Sequence, residues 1–306
     1  MKVLLAGGSG LIGRSLCAAL LSAGHEPVVL SRNPARARLP EGVRGVEWQP
    51  PEIGEWTAEL EGADAVINLS GESIGRWPWT PARKRLLRES RLVPTATLIA
   101  AIGALPPERR PRVLLNACGT DSYEGKDEQP ADESTPPADT FLARLCVDWE
   151  REALRAQELG LRVVILRTCS VVAREAASLR LLSLPFRLFV GGRIGSGKQW
   201  MSWIDMSDAV GLYLRALESE EFSGPINLAA PDPRRQVDFA RALGSALHRP
   251  SWFPTPAWPV RLVFGEQATL ALGSRRVWPA KALALGYTFR LPRLEDALTE
   301  ALRPGK

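Results

Sequence analysis

Lys2-Val3-Leu4-Leu5-Ala6-Gly7-Gly8-Ser9-Gly10-Leu11-Ile12-Gly13 is the stretch whose reading decides the fold. It begins with an apolar run, too short for a membrane span and of the right length for a buried parallel strand. Gly7, Gly10 and Gly13 then follow three apart, and Leu16, Ala19, Leu20 and Ala23 continue at helical spacing. Gly7 permits a tight turn, Gly10 leaves room where backbone approaches a pyrophosphate, and Gly13 lets the helix sit close on the strand. The helix start, with Ser9, Leu11 and Ile12 around it, offers free N–H groups and the positive end of a dipole to an anion. Three spaced glycines alone are a weak signal. A strand before them and a helix after them make the reading a nucleotide cradle.

The bulk composition fits that reading. The chain has 306 residues, 45% hydrophobic and 24% charged, enough for one large α/β domain or one with a smaller lobe. A net charge of +5 suits an anionic ligand, but the charge is too scattered to point to nucleic acid. Cys17, Cys118, Cys146 and Cys169 show neither a CxxC nor a metal spacing, which predicts reduced thiols in a cytoplasmic protein and no metal site. No window is apolar enough for a span, and the opening residues read as a strand rather than a cleavable leader, so no membrane partner is expected.

Further along, Pro27-Val28-Val29-Leu30-Ser31-Arg32 is a second strand. An NAD-specific site usually places an acidic residue at its end for the ribose 2′-hydroxyl. Here stand Ser31 and Arg32, with Arg36 and Arg38 behind. A hydroxyl and a guanidinium suit a 2′-phosphate, which favours NADP over NAD. Arg36 and Arg38 fit a solvated loop as well.

The strand beginning at Asp64 ends in Asn68-Leu69-Ser70-Gly71, which should lie beside the cofactor. Pro81 to Ile102 reads as a long helix and Val113 to Gly119 as a strand; a polar loop follows from Thr120 to Asp139. Next come a helix from Phe141 to Leu159, closed by Gly160, and a strand from Arg162 to Thr168. Ala117 and Arg167, near these two strand ends, are counted with the cofactor-facing residues. Gly192 to Lys198 comes near a P-loop, but Gln199 follows instead of Ser or Thr, and Trp200 to Ile204 reads as a strand rather than a helix. Asp205 to Leu217 is a helix and Gly224 to Ala229 a strand. Helices over 237–248, 260–272, 279–285 and 294–302, between proline-rich turns, suggest a small cap. Alternating strands and helices predict an α/β class with a doubly wound parallel sheet.

Taken together these residues resemble the extended short-chain dehydrogenase/reductase superfamily. More narrowly, the chain looks like an atypical epimerase-like branch with a C-terminal domain of unknown function. The landmarks are Gly7 to Gly13, Val66 to Gly71, Ser90-Arg91 with Thr95, Asp148-Trp149-Glu150, Leu166-Arg167-Thr168, Gly191 to Asp208, Ala230-Pro231, His248-Arg249-Pro250 and Gly265-Glu266. The resemblance implies a Rossmann-type domain over residues 1–230 that binds NADP(H). It implies a small, mostly helical substrate lobe over 231–306, to which 171–204 contribute.

The superfamily's Tyr-x-x-x-Lys pair would fall on Leu142 and Cys146, and the helper serine among Asn116, Ala117 and Cys118. None of these suits proton transfer as the family performs it. Tyr123 and Lys126 are three apart and lie in a loop. In place of the pair, Arg91 is a candidate for an anionic substrate group, Glu133 for acid–base work and Gln199 for lining the pocket. Each has a plainer role open to it as a polar residue bonded within the protein. The function expected is an NADP(H)-dependent oxidoreductase or epimerase acting on a small molecule, nucleotide-sugar-like in character. The alternative is a non-catalytic NADP(H)-binding redox sensor or scaffold. Oligomeric state is left open.

Overall fold

The computed structural model describes residues 1–123 and 128–303. Strand β1 (Lys2–Ala6) is buried from Val3 onward and lies between β2 (Glu26–Ser31) and β4 (Ala65–Asn68), with Ala6 opposite both Leu30 and Asn68. Beyond β2 lies β3 (Arg44–Glu47). Beyond β4 come β5 (Val113–Gly119), β6 (Arg162–Thr168) and β10 (Gly224–Leu228), giving a seven-stranded parallel sheet in the order β3-β2-β1-β4-β5-β6-β10. The order reverses between β1 and β4, and in such sheets a ligand crevice opens at that reversal, beyond the carboxyl ends of the strands.

Side-chain alternation along β1 divides the core. Val3 and Leu5 face α1 (Leu11–Ser22) and α5 (Met206–Glu218), packing with Leu16, Leu20 and Tyr213. Leu4 and Ala6 face α2 (Pro81–Gly103) and α3 (Phe141–Leu154), packing with Leu98, Ile102 and Trp149. The helices begin at capping side chains. Thr80 accepts from the Arg83 N–H, Thr140 from Ala143 and Asp205 from Ser207, each satisfying an otherwise free donor.

A third core joins β7 (Ser170–Val172), α4 (Ala177–Arg187), β9 (Trp203–Asp205), α6 (Gln236–Ala246) and α10 (Leu294–Leu302), with Phe186, Trp203, Phe239 and Leu298 at its centre. The chain between α6 and α10 carries α7 (Ala257–Phe264), α8 (Thr269–Leu272) and α9 (Ala280–Ala284). Ala282 of α9 and Phe289 return to the first core, where the Asp208 carboxylate accepts the Arg290 and Leu291 N–H groups at 2.7 and 3.0 Å.

Three elements differ from their sequence reading. The helix expected to reach Leu159 changes at Arg155 into a 3-10 segment, ended by Gly160 with φ +88°. The helix expected over 260–272 breaks at Gly265, φ +53°, so α7 and α8 are separate. The strand expected at Trp200 to Ile204 is two: β8 (Trp200–Met201) pairs antiparallel with β11 (Arg234–Arg235), and β9 pairs with β7. Between them Ser202 is pinned, its hydroxyl donating to the Arg275 carbonyl at 2.9 Å and accepting from the Val277 N–H at 2.8 Å.

Trp203 is fully buried and donates its indole N–H to the Asp232 carbonyl at 2.8 Å. Trp203→Ala should therefore cost about 3–5 kcal/mol, read as a fall in the denaturant midpoint; a shift within error would show that the third core does not depend on it.

Candidate functional site

The cradle at the sheet reversal is made of backbone. Gly7 has φ +78°, and a Cβ there would lie 2.8 Å from both the carbonyl carbon and the carbonyl oxygen of Leu69. A Cβ on Gly13 would lie 2.5 Å from the Gly8 oxygen, so α1 rests directly on the preceding turn rather than on the strand. A Cβ on Gly10 would meet only the Gly7 oxygen, at 3.3 Å, which leaves the space above it open. No side chain caps α1 and its first turn holds no acid, so the amides of Leu11, Ile12 and Gly13 keep their donor capacity and the dipole is uncompensated. Ser9 contributes its carbonyl to the Arg14 guanidinium at 3.2 Å. These features fit a dinucleotide pyrophosphate.

At the end of β2 the Ser31 hydroxyl accepts the Asn33 N–H at 3.3 Å, and Arg32 is exposed, as are Arg36 and Arg38. Among the described residues none of the three arginines forms an ion pair.

At the end of β4 the side chain of Asn68 turns inward. It donates to the Thr95 hydroxyl at 2.8 Å and to Asn116 Oδ1 at 2.7 Å, and it accepts from the Ser70 N–H at 3.1 Å. Trp149 donates to the same Thr95 hydroxyl at 2.9 Å. Leu69 and Ser70 thus present backbone to the crevice in a fixed shape, while Ala117 sits half-buried at the end of β5.

Gly71 leaves space for Arg91, whose guanidinium carbon would be 3.1 Å from a Cβ there. Arg91 donates to the Leu87 and Glu72 carbonyls at 2.9 and 3.0 Å and lies over the Trp149 ring. Burial lowers its pKa, while the thiols of Cys146 and Cys118 and the carboxylates of Asp121 and Glu72 pull the other way. It remains a cation, held between the backbone at Gly71 and the Trp149 ring.

Three other residues singled out in the sequence are engaged elsewhere. Gln199 is buried, donating to the Ile194 and Ala271 carbonyls at 2.9 and 3.3 Å, so it ties the cap to the 194–199 loop. The Glu133 carboxylate accepts the N–H groups of Asn227 at 2.9 Å and Lys281 at 3.3 Å, which fastens its loop to β10 and to the start of α9. Arg167 makes a two-pronged pair with Glu150, both bonds 2.7 Å, and donates to the Tyr123 hydroxyl at 2.6 Å. Burial alone would lower the Arg167 pKa, but the bonds and charge of Glu150, with Tyr123, raise it. A cavity of about 320 Å³ beside this group is lined by Tyr123, Thr135, Val147, Glu150 and Arg167, and by none of the cradle residues. Lys126 lies outside the described residues.

Sequence spacing gave no hint of a pair that reaches the β5 end of the crevice from the far end of the chain. Asp121 meets Arg275 at 3.2 Å, both largely buried, and a Cβ on Gly119 would be 3.1 Å from Asp121 and 3.8 Å from the Cys146 thiol. Arg235 and Arg276 lie on the Trp200 ring at 4.0 and 4.5 Å. Leu142 and Cys146 are both buried in α3, and the Cys146 thiol donates to the Gly119 carbonyl at 3.6 Å.

The Tyr123 hydroxyl also donates to Asn227 Oδ1 at 2.9 Å, and burial pushes its pKa up to about 12 against the pull of Arg167. Burial raises Tyr213 and Tyr287 further, so all three tyrosines stay neutral in the fold. A raised phenol stabilises the fold fully below its unfolded value of about 10 and loses that contribution as pH rises through the folded value. An ultraviolet titration should show no tyrosinate until about pH 12 or global unfolding. A transition near pH 10 in folded protein would contradict this packing.

Residues 3–229 match the NAD dependent epimerase/dehydratase family, and residues 255–301 match a domain of unknown function, DUF1731. An Arabidopsis thaliana relative, the chloroplastic homologue of epimerase family protein SDR39U1, is 35% identical over 97% of this chain and 86% of its own length. An epimerase family protein of Mycobacterium leprae is 36% identical over 98% of this chain and 95% of its own length. Human epimerase family protein SDR39U1 (isoform 2), solved with NADPH, superposes with a TM-score of 0.88 at 33% identity, covering 98% of this chain and 99% of the human one. A nucleoside-diphosphate sugar epimerase from Corynebacterium glutamicum superposes at 0.79 with 29% identity, covering 99% of this chain and 58% of that one. With a backbone cradle at the sheet reversal and relatives that match from end to end, the chain belongs to the NAD dependent epimerase/dehydratase family.

Proposed function

We propose that the chain binds NADP(H) at the reversal between β1 and β4 and works as an oxidoreductase or epimerase on an anionic, nucleotide-sugar-like small molecule. The observation that carries this is a side-chain-free cradle combined with Ser31 and Arg32, instead of an acid, at the end of β2. The amides of Leu11, Ile12 and Gly13 hold the pyrophosphate, and Ser31 and Arg32 hold the 2′-phosphate. The human relative solved with NADPH supports the choice of cofactor.

When bound, the cofactor supplies hydride exchange. This chain's own residues supply charge around the reacting carbon. Arg91 faces an anionic substrate group. Asp121, held by Arg275, lies beside Gly119, whose other neighbour is the Cys146 thiol at one of the two positions where the superfamily's tyrosine and lysine would work, and we assign proton handling to it. Four free, buried thiols fit a reducing compartment such as the cytoplasm.

A second reading, a redox sensor or scaffold without turnover, is favoured by the burial of Leu142 and Cys146. It requires a partner whose affinity differs between the NADP- and NADPH-bound forms. Equal affinity in both, together with turnover on a panel of sugar nucleotides and carbonyl compounds, would exclude it.

Calorimetric titration separates the parts of the proposal. Gly10→Val should abolish binding of both nucleotides, because a branched side chain fills the pyrophosphate path. Unchanged affinity in a folded variant would place the cofactor elsewhere. Arg32→Ala should weaken NADPH by about 1–3 kcal/mol more than NADH. An equal loss for both would show that Arg32 does not read the 2′-phosphate.

A further inference from the structure

Helix α4 has two apolar faces. Leu179 and Phe186 enter the third core, while Leu181, Leu184 and Leu188 point to solvent, Leu181 at 68% exposure. The chain continues this outer face through exposed Phe189 and then meets Trp252 and Phe253. The Trp252 indole donates to the Phe189 carbonyl at 3.0 Å, and the N–H groups of Trp252 and Phe253 reach the Gly191 carbonyl at 3.0 and 3.1 Å. Trp252 itself is 67% exposed. Helix α7 follows directly, an apolar helix with no buried residue, its Trp258 and Leu262 the most open. Water-exposed apolar side chains are ordinary when scattered; a face joined from α4 through Phe189 to Trp252 and Phe253, with α7 next along the chain, marks an interface.

The two stretches of chain that build the face carry charge of one sign. From residue 176 to 204 the chain has no Asp or Glu but has Arg180, Arg187, Arg193 and Lys198. From 239 to 265 it again has none, and it has Arg241, Arg249 and Arg261. At the average density of 34 acids in 306 residues, these two runs would carry about six. Arg241 pairs with Asp238, and the Arg249 guanidinium lies 4.6 Å from the centre of the Phe189 ring. Among the described residues Arg180, Arg187, Arg193, Arg249 and Arg261 form no ion pair, although arginines elsewhere on the molecule commonly do. Two copies meeting through this face would set cation against cation. Leucine, phenylalanine and tryptophan side chains projecting among unpaired arginines suit instead a surface whose interior is apolar and whose rim is anionic.

We propose that the outer face of α4, with Phe189, Trp252, Phe253 and α7, docks on the surface of an anionic lipid bilayer. The apolar side chains enter the headgroup boundary and the arginines stay among the lipid phosphates. This is surface docking, not a span: no described helix is long and apolar enough to cross a membrane.

The test is flotation of the full chain with vesicles of phosphatidylcholine alone and with vesicles containing phosphatidylglycerol. Binding to the anionic vesicles only, weakened by added salt, is the expected result. Leu184→Glu with Leu188→Glu, and separately Arg180→Glu with Arg187→Glu, should each lower the partition coefficient at least roughly tenfold. Their circular dichroism and melting should match the parent, since these side chains contribute nothing to the core. Three results would overturn the proposal: no flotation of the folded parent with either vesicle, equal salt-independent binding to both, or a concentration-dependent dimer that Leu184→Glu dissociates. The last would assign the face to a second copy.

Discussion

The contact on which the rest depends is one of backbone against backbone, where the turn after β1 meets the end of β4. The Leu69 N–H donates to the Ala6 carbonyl at 2.8 Å, and the Leu69 carbonyl then comes so close to Gly7 that no Cβ fits. Gly13 brings α1 onto the same turn with equal economy. An interposed side chain would push the two strand ends apart at the place where the sheet changes direction, and the crevice would lose both its floor and its row of amides. Local residue choice and global topology therefore demand the same glycines, the kind of agreement between levels that specifies a fold.

Behind that contact stands a polar cluster that joins four elements without a formal charge. Asn68 of β4, Asn116 of β5, Thr95 of α2 and Trp149 of α3 satisfy one another in a buried space. A fully paired buried network rigidifies its surroundings, whereas a partly paired one is costly. The Arg167–Glu150 pair holds α3 a second time, from β6. With α3 fixed at two points and α2 fixed by Thr95, Arg91 is held beside Gly71 on a rigid support, and its charge rests on carbonyl oxygens rather than on a carboxylate.

Elements announced by apolar runs between polar ends were legible residue by residue: β5, β6 and α10 have the limits their sequences suggest. Edge strand β3, Arg44-Gly45-Val46-Glu47, was not, because an edge strand with charged ends lacks the buried alternation that marks its neighbours. The cradle was legible because it is local. The proposed substrate side was not, because the residues assigned to it come from distant segments and because residue type does not reveal a bonding partner. Glu133 and Gln199 look chemically apt in sequence, yet each is consumed by backbone groups, whereas Asp121 and Arg275 have nothing in their spacing to link them.

The basic balance of the chain follows from the same distinction between spent and unspent donors. Arg162 bonds the Ala216, Leu217 and Phe222 carbonyls at the end of α5. Arg110 bonds the Gly103 and Leu105 carbonyls at and just past the end of α2, and the Leu159 carbonyl beyond α3. Helix ends leave carbonyls without partners, and a guanidinium satisfies several at once while sitting favourably at the negative end of the dipole. Such arginines need no acidic counterpart within the protein, so part of the +5 surplus is structural and carries no message about ligands. What carries a message is a cation with neither a carbonyl nor a carboxylate to hold it. By that measure Arg32 at the end of β2 and Arg187 in α4 are exposed cations that nothing in the chain holds, whereas Arg180 and Arg193 beside α4 each donate to a backbone carbonyl.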